Sequence, residues 1–424
     1  MPKQTLFYGW YIVAACFVLC LLFAGAGFYS FSIFIRPIEN EFGWDRAAIS
    51  LTMSIYLIVG GLAGPPLGQL IQKYGPKRVM RVCAIFAGAC FLLVSQTRSL
   101  WYFYTIYALL ATAVCGIGVI PVSSLLSSWF DKRRGTAIGF ALVGISAGGF
   151  LLAPGVGWIT AAHGWKTAFL IIGLLVWAVG VPVIQFVIVD RPADMGLRPD
   201  NAPEKYSGGP HRGVAPDTWI TGWPADSVMR SQSFWYIFIA FFLAPMAQMG
   251  VLQHQVPLLM DTGVSEAAAA AALGLTAGIG GLGKLGFGRI SESLSFCYVM
   301  LLCFGLQALA LVLLLYPPTP AIIWIYAVTF GFGMGGIVVL MPLVVGHYYG
   351  LRSYGFLLGV LWVGNSIGGA LGTYLSGVIF DWLGDYRLAL VGFTIAYILS
   401  IAAFFMAGKP RPEWKNQVPD GRQI

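Results

Sequence analysis

The sequence predicts an all-α membrane protein of twelve transmembrane helices in two pseudo-symmetric six-helix bundles, and three observations carry that prediction. Of 424 residues, 58% are hydrophobic and only 10% charged, far from the roughly one quarter charged of soluble domains. About twelve apolar stretches of spanning length can be read along the chain, and twelve helices of about 20 residues leave room only for short loops and one longer middle segment. At an offset of 220 residues the chain repeats itself: twelve glycines, from Gly43, Gly60, Gly61 and Gly68 through Gly164, fall on Gly263, Gly280, Gly281, Gly288 and their successors through Gly384, where chance overlap is about three. Pro37 likewise falls on Pro257.

The first apolar run follows Lys3 and passes Ala24-Gly25-Ala26. It continues to about residue 35, too long for a cleaved signal, so it reads as an uncleaved first span. The remaining spans of the first half end near residue 189, and the polar, Pro- and Gly-rich stretch of residues 190–232 is too charged to enter the bilayer. It reads as a cytoplasmic linker between an N-terminal bundle, 1–189, and a C-terminal bundle, 233–424, that ends in a short cytoplasmic tail. An even-spanned unit followed by a copy in the same orientation is a parallel repeat, the arrangement of carriers that rock two bundles about a central site.

The 25 Lys and Arg exceed the 17 Asp and Glu, but the excess lies in the loops of one side. With the N-terminus inside, only Arg36, Arg46, Arg98, Lys166 and Arg387 fall outside and Lys284 falls in a span. Cations in short loops resist translocation, so both termini are expected in the cytoplasm, with the protein in a plasma membrane, most simply a bacterial inner membrane. This distribution forms no stripe for nucleic acid. The seven cysteines lie in or beside apolar segments without metal-ligand spacing and read as packing residues. Gly331-Phe-Gly333-Met-Gly-Gly336 follows no strand, and no phosphate loop or nucleophile-base pair stands out, so no enzyme activity, metal or cofactor is expected.

Lys284, in Gly280-Gly-Leu-Gly-Lys284-Leu-Gly-Phe-Gly-Arg289, is the sharpest single feature. It stands eight residues before Glu292, about 12 Å of helix, well inside the hydrocarbon, where a cation costs about 2.5 to 3.5 kcal/mol or more and by default marks function. Its partner at the 220 offset is Gly64, so the cation breaks a symmetry the surrounding glycines keep. Every Asp and Glu falls in a loop or at a helix end, which leaves an external anion as the natural counter-ion. His254, two turns before Asp261, is the one mid-span histidine and could carry a coupling proton. The alternatives are that Lys284 snorkels to the surface and that His254 packs or gates.

Several stretches resemble the major facilitator superfamily of secondary transporters. Gly68-Gln-Leu-Ile-Gln-Lys-Tyr-Gly75-Pro-Lys77-Arg78 resembles its loop signature, with Gln72 where Asp is usual, and Gly288-Arg289-Ile-Ser-Glu292 resembles the second-half copy. Phe42-Gly-Trp44-Asp-Arg46, Trp129-Phe130-Asp-Lys-Arg-Arg134-Gly135, Arg191-Pro192-Ala-Asp194-Met-Gly196 and Ser233-Phe234-Trp235 narrow the resemblance to the monocarboxylate transporter and oxalate:formate antiporter branch. The resemblance implies a gating role for the two loops and makes Lys284 the cation, usually Arg, that binds the substrate carboxylate. It places Tyr29, Phe28, Trp362 and Asn365 on cavity-lining spans. The mammalian-type carriers have Asp where Gly280 stands, and the oxalate carriers have a second Lys where Leu361 stands; one cation suits a monoanion. The function implied is secondary transport of a small monocarboxylate such as lactate or pyruvate by a monomer, with a proton carried by the substrate, Lys284 or His254. Anion exchange, a sensor without flux and a neutral-substrate carrier are the alternatives.

Overall fold

Backbone amides in lipid have no water to bond, so apolar segments of this length satisfy them within helices. A computed structural model of the chain describes residues 7–24, 31–44, 46–201, 222–264, 266–316 and 319–408, and contains no strand among them, only one isolated bridge between Gly222 and Gly350. The first half comprises α1 (Gly9–Ala24), α2 (Phe31–Phe42), α3 (Arg46–Leu62), α4 (Gly64–Tyr74), α5 (Pro76–Val94), α6 (Leu100–Cys115), α7 (Val119–Trp129), α8 (Arg134–His163) and α9 (Trp165–Leu175). Two π-helical turns continue α9 to Val187. A short α10 (Ala225–Met229) precedes α11 (Gln232–Asp261), α12 (Glu266–Ile290), α13 (Phe296–Leu314), α14 (Pro320–Tyr349), α15 (Tyr354–Leu383) and α16 (Arg387–Ala407).

These helices make twelve passes, six in each half, because three passes of the first half combine paired helices. The pair α1 and α2 forms the first span, and α2 runs on to Phe42, seven residues beyond the apolar run that ends near Ile35. The extension is a polar turn at the membrane edge, where Glu41 accepts hydrogen bonds from the Lys166 ammonium and, at 2.6 Å, from the Trp165 indole. The second span bends by 44° between α3 and α4, where Gly64 is followed by Pro65 and Pro66, which withhold two backbone donors. Leu100–Trp129 and Trp165–Val187 each act as one span.

Each half repeats the same packing. As α1 lies on α8, so α11 lies on α15; α3 on α6 matches α12 on α14; α5 on α6 and α9 matches α13 on α14 and α16. Glycines permit these approaches: a Cβ at Gly144 would lie 2.2 Å from the Phe17 carbonyl of α1, and one at Gly368 2.2 Å from the Phe242 carbonyl of α11. The small-residue faces of α8 and α15 thus pack within their own halves. The lipid-facing surface is apolar, and Trp101, Trp158 and Trp382 stand exposed at helix ends on the face opposite the loop signatures, as interfacial tryptophans do.

Candidate functional site

The halves meet along two lines of close backbone contact, α4 with α15 and α8 with α12. A Cβ at Gly68 would sit 2.0 Å from the Gly355 carbonyl, and one at Gly135 2.1 Å from the Gly288 carbonyl. A turn further in, Gly64 meets Gly359 at 2.9 Å and Gly139 meets the Lys284 carbonyl at 2.7 Å; beyond these, Gly61 faces Ser366 and Gly281 faces Ser146. Since 68 and 288, 135 and 355, 64 and 284, and 146 and 366 are repeat partners, the two lines are images of one another. Both seal the face that carries Lys73, Lys77, Arg78, Lys132 and Arg133, here termed the basic face.

Into one line, and not the other, the chain introduces charge. Lys284 leaves α12 with 5% of its surface exposed, and its Nζ donates to Ser146 Oγ of α8 at 2.8 Å, a bond between the halves. Among the described residues Lys284 forms no ion pair. One neutral hydroxyl replaces only part of the hydration lost by an ammonium. The arrangement is therefore a cation held between two bundles with hydrogen-bonding capacity to spare, since an ammonium has three donors.

Of the other expected lining groups, Tyr29 and Phe28 lie outside the described residues. Asn365 and Trp362 are half-buried on α15, with the Trp362 carbonyl 3.9 Å from a Cβ at Gly61 across the interface. Neither bonds to Lys284 among the described residues. His254 sits inside the second half: Nε2 is 3.2 Å from the Thr373 carbonyl and Nδ1 3.1 Å from the Tyr386 hydroxyl. A carbonyl only accepts, so Nε2 carries a hydrogen and, in the neutral ring, Nδ1 accepts from Tyr386. Tyr386 also lines a cavity of about 170 Å³ at the face opposite the basic one, together with Asp261, Thr262, Asp385 and Arg387.

The loop signatures differ in charge and in connection. In the second, Glu292 Oε1 accepts from the Thr136 backbone N–H in the first turn of α8 at 2.6 Å, across the interface, while Oε2 pairs with Arg289 at 2.8 Å. A carboxylate at a helix N-terminus meets both free amides and the positive end of the dipole. In the first, Gln72 occupies the position of Glu292, is exposed, and makes no hydrogen bond among the described residues. There Asp190 does the capping instead, accepting from the Lys77 N–H of α5 at 2.7 Å within the same half. Burial outweighs that bond and holds the Asp190 carboxyl above the usual carboxylate range. Gly75, between Tyr74 and Lys77, has φ +83°, and a Cβ there would meet Asp190 Oδ2 at 2.8 Å, so both backbone and space require glycine.

Residues 17–373 and 256–423 match the profile of the Major Facilitator Superfamily. The chain belongs to that superfamily. It is 27% identical over 403 residues, 92% of each chain, to an uncharacterized MFS-type transporter, YcxA, of Bacillus subtilis. It is 26% identical to Monocarboxylate transporter 13 of Bos taurus, over 95% of this chain and 88% of that one, and 23% identical to Monocarboxylate transporter 12 of Homo sapiens, over 94% and 80%. Its fold is similar to that of the superfamily transporter FucP in the outward conformation, with a TM-score of 0.71 at 12% identity over 94% of this chain and 99% of that one. This superfamily protein is a multi-pass membrane transporter and not an enzyme.

Lys284 and the loops stand out in the sequence, whereas Ser146, Tyr386 and the bond from Glu292 to α8 do not. A signal for Ser146 was present: serine stands at both 146 and 366 of the repeat.

Proposed function

We propose that this transporter moves a small organic monocarboxylate, of lactate or pyruvate size, by alternating access between its two halves and together with a proton. The observation that carries the reading is Lys284, a buried ammonium at the junction of the halves with no carboxylate partner among the described residues. An uncompensated buried cation is unfavourable, and a substrate carboxylate completes it. The names of the relatives, monocarboxylate transporters 12 and 13, support the same substrate class. Among the described residues the fixed charge there is a single cation, which favours a monoanion, and Asn365 and Trp362 of α15 are the candidate lining groups.

The basic face is the cytoplasmic one, because its loops hold most of the Lys and Arg. On that reading the carrier is closed inside, with Gly68, Gly75, Lys77 and Arg78 of one loop and Gly288, Arg289 and Glu292 of the other acting as the gate. The proton travels on Lys284, on the substrate carboxyl or on His254, which can take one at Nδ1 if the Tyr386 hydroxyl turns to accept. The protein works as a monomer in a bacterial inner membrane.

The test is uptake of labelled lactate and pyruvate into proteoliposomes under an inward proton gradient, with Lys284→Gln alongside. Gradient-driven uptake that disappears in the variant supports the reading. Exchange of preloaded acid without net uptake selects an anion exchanger. Transport that survives Lys284→Gln rejects the carboxylate site and points to a neutral substrate.

A further inference from the structure

Many helical serines and threonines here spend their hydroxyl hydrogen on the carbonyl one turn back: Thr112, Thr160, Thr276, Ser376, Thr394 and Ser400 all donate to residue i−4, while the buried hydroxyls of Thr52 and Thr136 find no partner among the described residues. Ser146 does not donate in this way. Its Oγ accepts from Lys284 Nζ at 2.8 Å, and among the described residues its own O–H donates to nothing. Beside the ammonium there is thus an unspent donor from the opposite half of the molecule. Gly281 faces Ser146 across the interface, where even a Cβ would make only ordinary contact, 3.6 Å from the Ser146 Cβ, and Gly139 brings α8 onto the Lys284 backbone.

From this geometry we infer that Ser146 is a substrate-binding and positioning residue: a carboxylate is clamped between the Ser146 O–H of one half and the Lys284 ammonium of the other. The inference rests on the carboxylate reading above and extends it. A carboxylate has two oxygens that only accept, so one oxygen takes the hydroxyl hydrogen and the other an ammonium hydrogen, and both donors become satisfied. Because the donors belong to different halves, the anion bridges the interface and favours the conformation in which the halves are together at this level, which couples binding to closure. An amide or alcohol of the same shape has only one, uncharged acceptor oxygen and cannot satisfy both donors or neutralise the ammonium. The repeat supplies an internal control. Ser366, the image of Ser146, faces Gly61 across the other line, and the image of Lys284 there is Gly64; the same hydroxyl has no cation to work with.

The experiment uses the purified full-length protein in detergent. Thermal stabilisation is titrated with sodium acetate, lactate, pyruvate, 4-methyl-2-oxopentanoate and benzoate, and with the matching amides, for wild type, Ser146→Ala, Ser146→Thr, Ser366→Ala and Lys284→Gln. The expected result is that at least one acid and no amide binds, and that Ser146→Ala weakens the acid by about tenfold to a hundredfold, the loss of one hydrogen bond to a charged group. Ser146→Thr restores the affinity, Ser366→Ala leaves it unchanged, and Lys284→Gln removes it. A serine that merely packs would lower the ligand-free melting temperature without this selective loss or the threonine rescue. If Ser146→Ala does not fold, Ser146→Cys, with its weak donor, must show the same loss. Wild-type affinity in Ser146→Ala, with binding lost in Lys284→Gln, overturns the clamp and leaves the carboxylate site standing. Full binding by Lys284→Gln, or no acid bound by wild type, overturns both.

Discussion

Adding one methyl group at Gly68 tests whether the basic face is a seal that opens. A Cβ there would lie 2.0 Å from the Gly355 carbonyl and 2.7 Å from the Phe356 nitrogen, and both are backbone that no rotamer change can move aside. Ordinary contact begins at 3.4 Å, so α4 and α15 must part by about 1.4 Å at this point, and overpacking of this kind costs about 1 to 3 kcal/mol. Because the contact exists only while the halves are together, the cost falls on the closed conformation. At 1.4 kcal/mol per tenfold, Gly68→Ala shifts the balance toward the state open on the basic face by about fivefold to 150-fold. Gly135→Ala, 2.1 Å from the Gly288 carbonyl, strains the image contact, and the two should add because they share no partner. Hydrogen exchange read by mass spectrometry gives the answer: residues 68–74 and 350–357 should exchange faster in Gly68→Ala, while Gly392→Ala, with nothing within 4 Å of its Cβ, changes nothing. Unaltered exchange at the α4 and α15 ends, with a folded protein, would refute a rigid closed seal built on these glycines.

Four further outcomes follow from the same geometry. Glu292→Gln keeps an acceptor for the Thr136 N–H but removes its charge; it should loosen the α8–α12 side by roughly 0.5 to 1 kcal/mol, seen as faster exchange at 134–139, with Lys284-dependent binding still present but at altered affinity. Gln72→Asp should not compensate fully, because α5 is already capped by Asp190. Tyr386→Phe removes the hydroxyl that meets His254 Nδ1, for a loss of about 1 kcal/mol of stability with the fold intact. His254→Gln separates the proton carriers: if His254 carries the proton, net uptake loses its dependence on the gradient while exchange persists, and an unchanged dependence assigns the proton to Lys284 or the substrate.

Much of the fold could be read in the chain because lipid and close packing are strict about residue type. A segment in hydrocarbon must close its own hydrogen bonds, so helices follow from apolarity and length alone. Backbones that approach to within a side chain's width admit only glycine, so the repeat survives in glycines where other positions have drifted. What the repeat could not tell is which glycines meet: Gly68 touches Gly355, the image of Gly135, and not its own image Gly288. That exchange of partners is a property of two bodies docked about an axis and has no trace in one linear comparison. Lys284 was legible because a buried cation is costly wherever it points. Its partner was not, since a serine in a helix normally satisfies itself on the preceding turn, and only the three-dimensional contact shows that Ser146 departs from the rule. His254 and Tyr386 are 132 residues apart, and no spacing rule joins them.

The positions where the halves differ carry more information about function than those where they agree. Shared glycines give both lines of contact the same ability to close, and a closure that is equal on both lines says nothing about cargo. At the level of Gly64 and Lys284 the equality ends: one line offers backbone against backbone, the other an ammonium and a hydroxyl from opposite halves. Two turns toward the surface it ends again, with neutral, exposed Gln72 on one line and Glu292, bonded to α8, on the other. Both departures fall on the α8–α12 line. On the proposed carboxylate reading, an anion at Lys284 acts on the line whose basic-face end is held by Glu292, so the proposed site and the Glu292 contact share two helices. The α4–α15 line, where Gly68 meets Gly355 and Gly64 meets Gly359, is left to follow. Coupling along α8 and α12 requires Glu292→Gln to change how tightly an acid binds at Lys284, and Gln72→Glu on the other line to leave that affinity as it was.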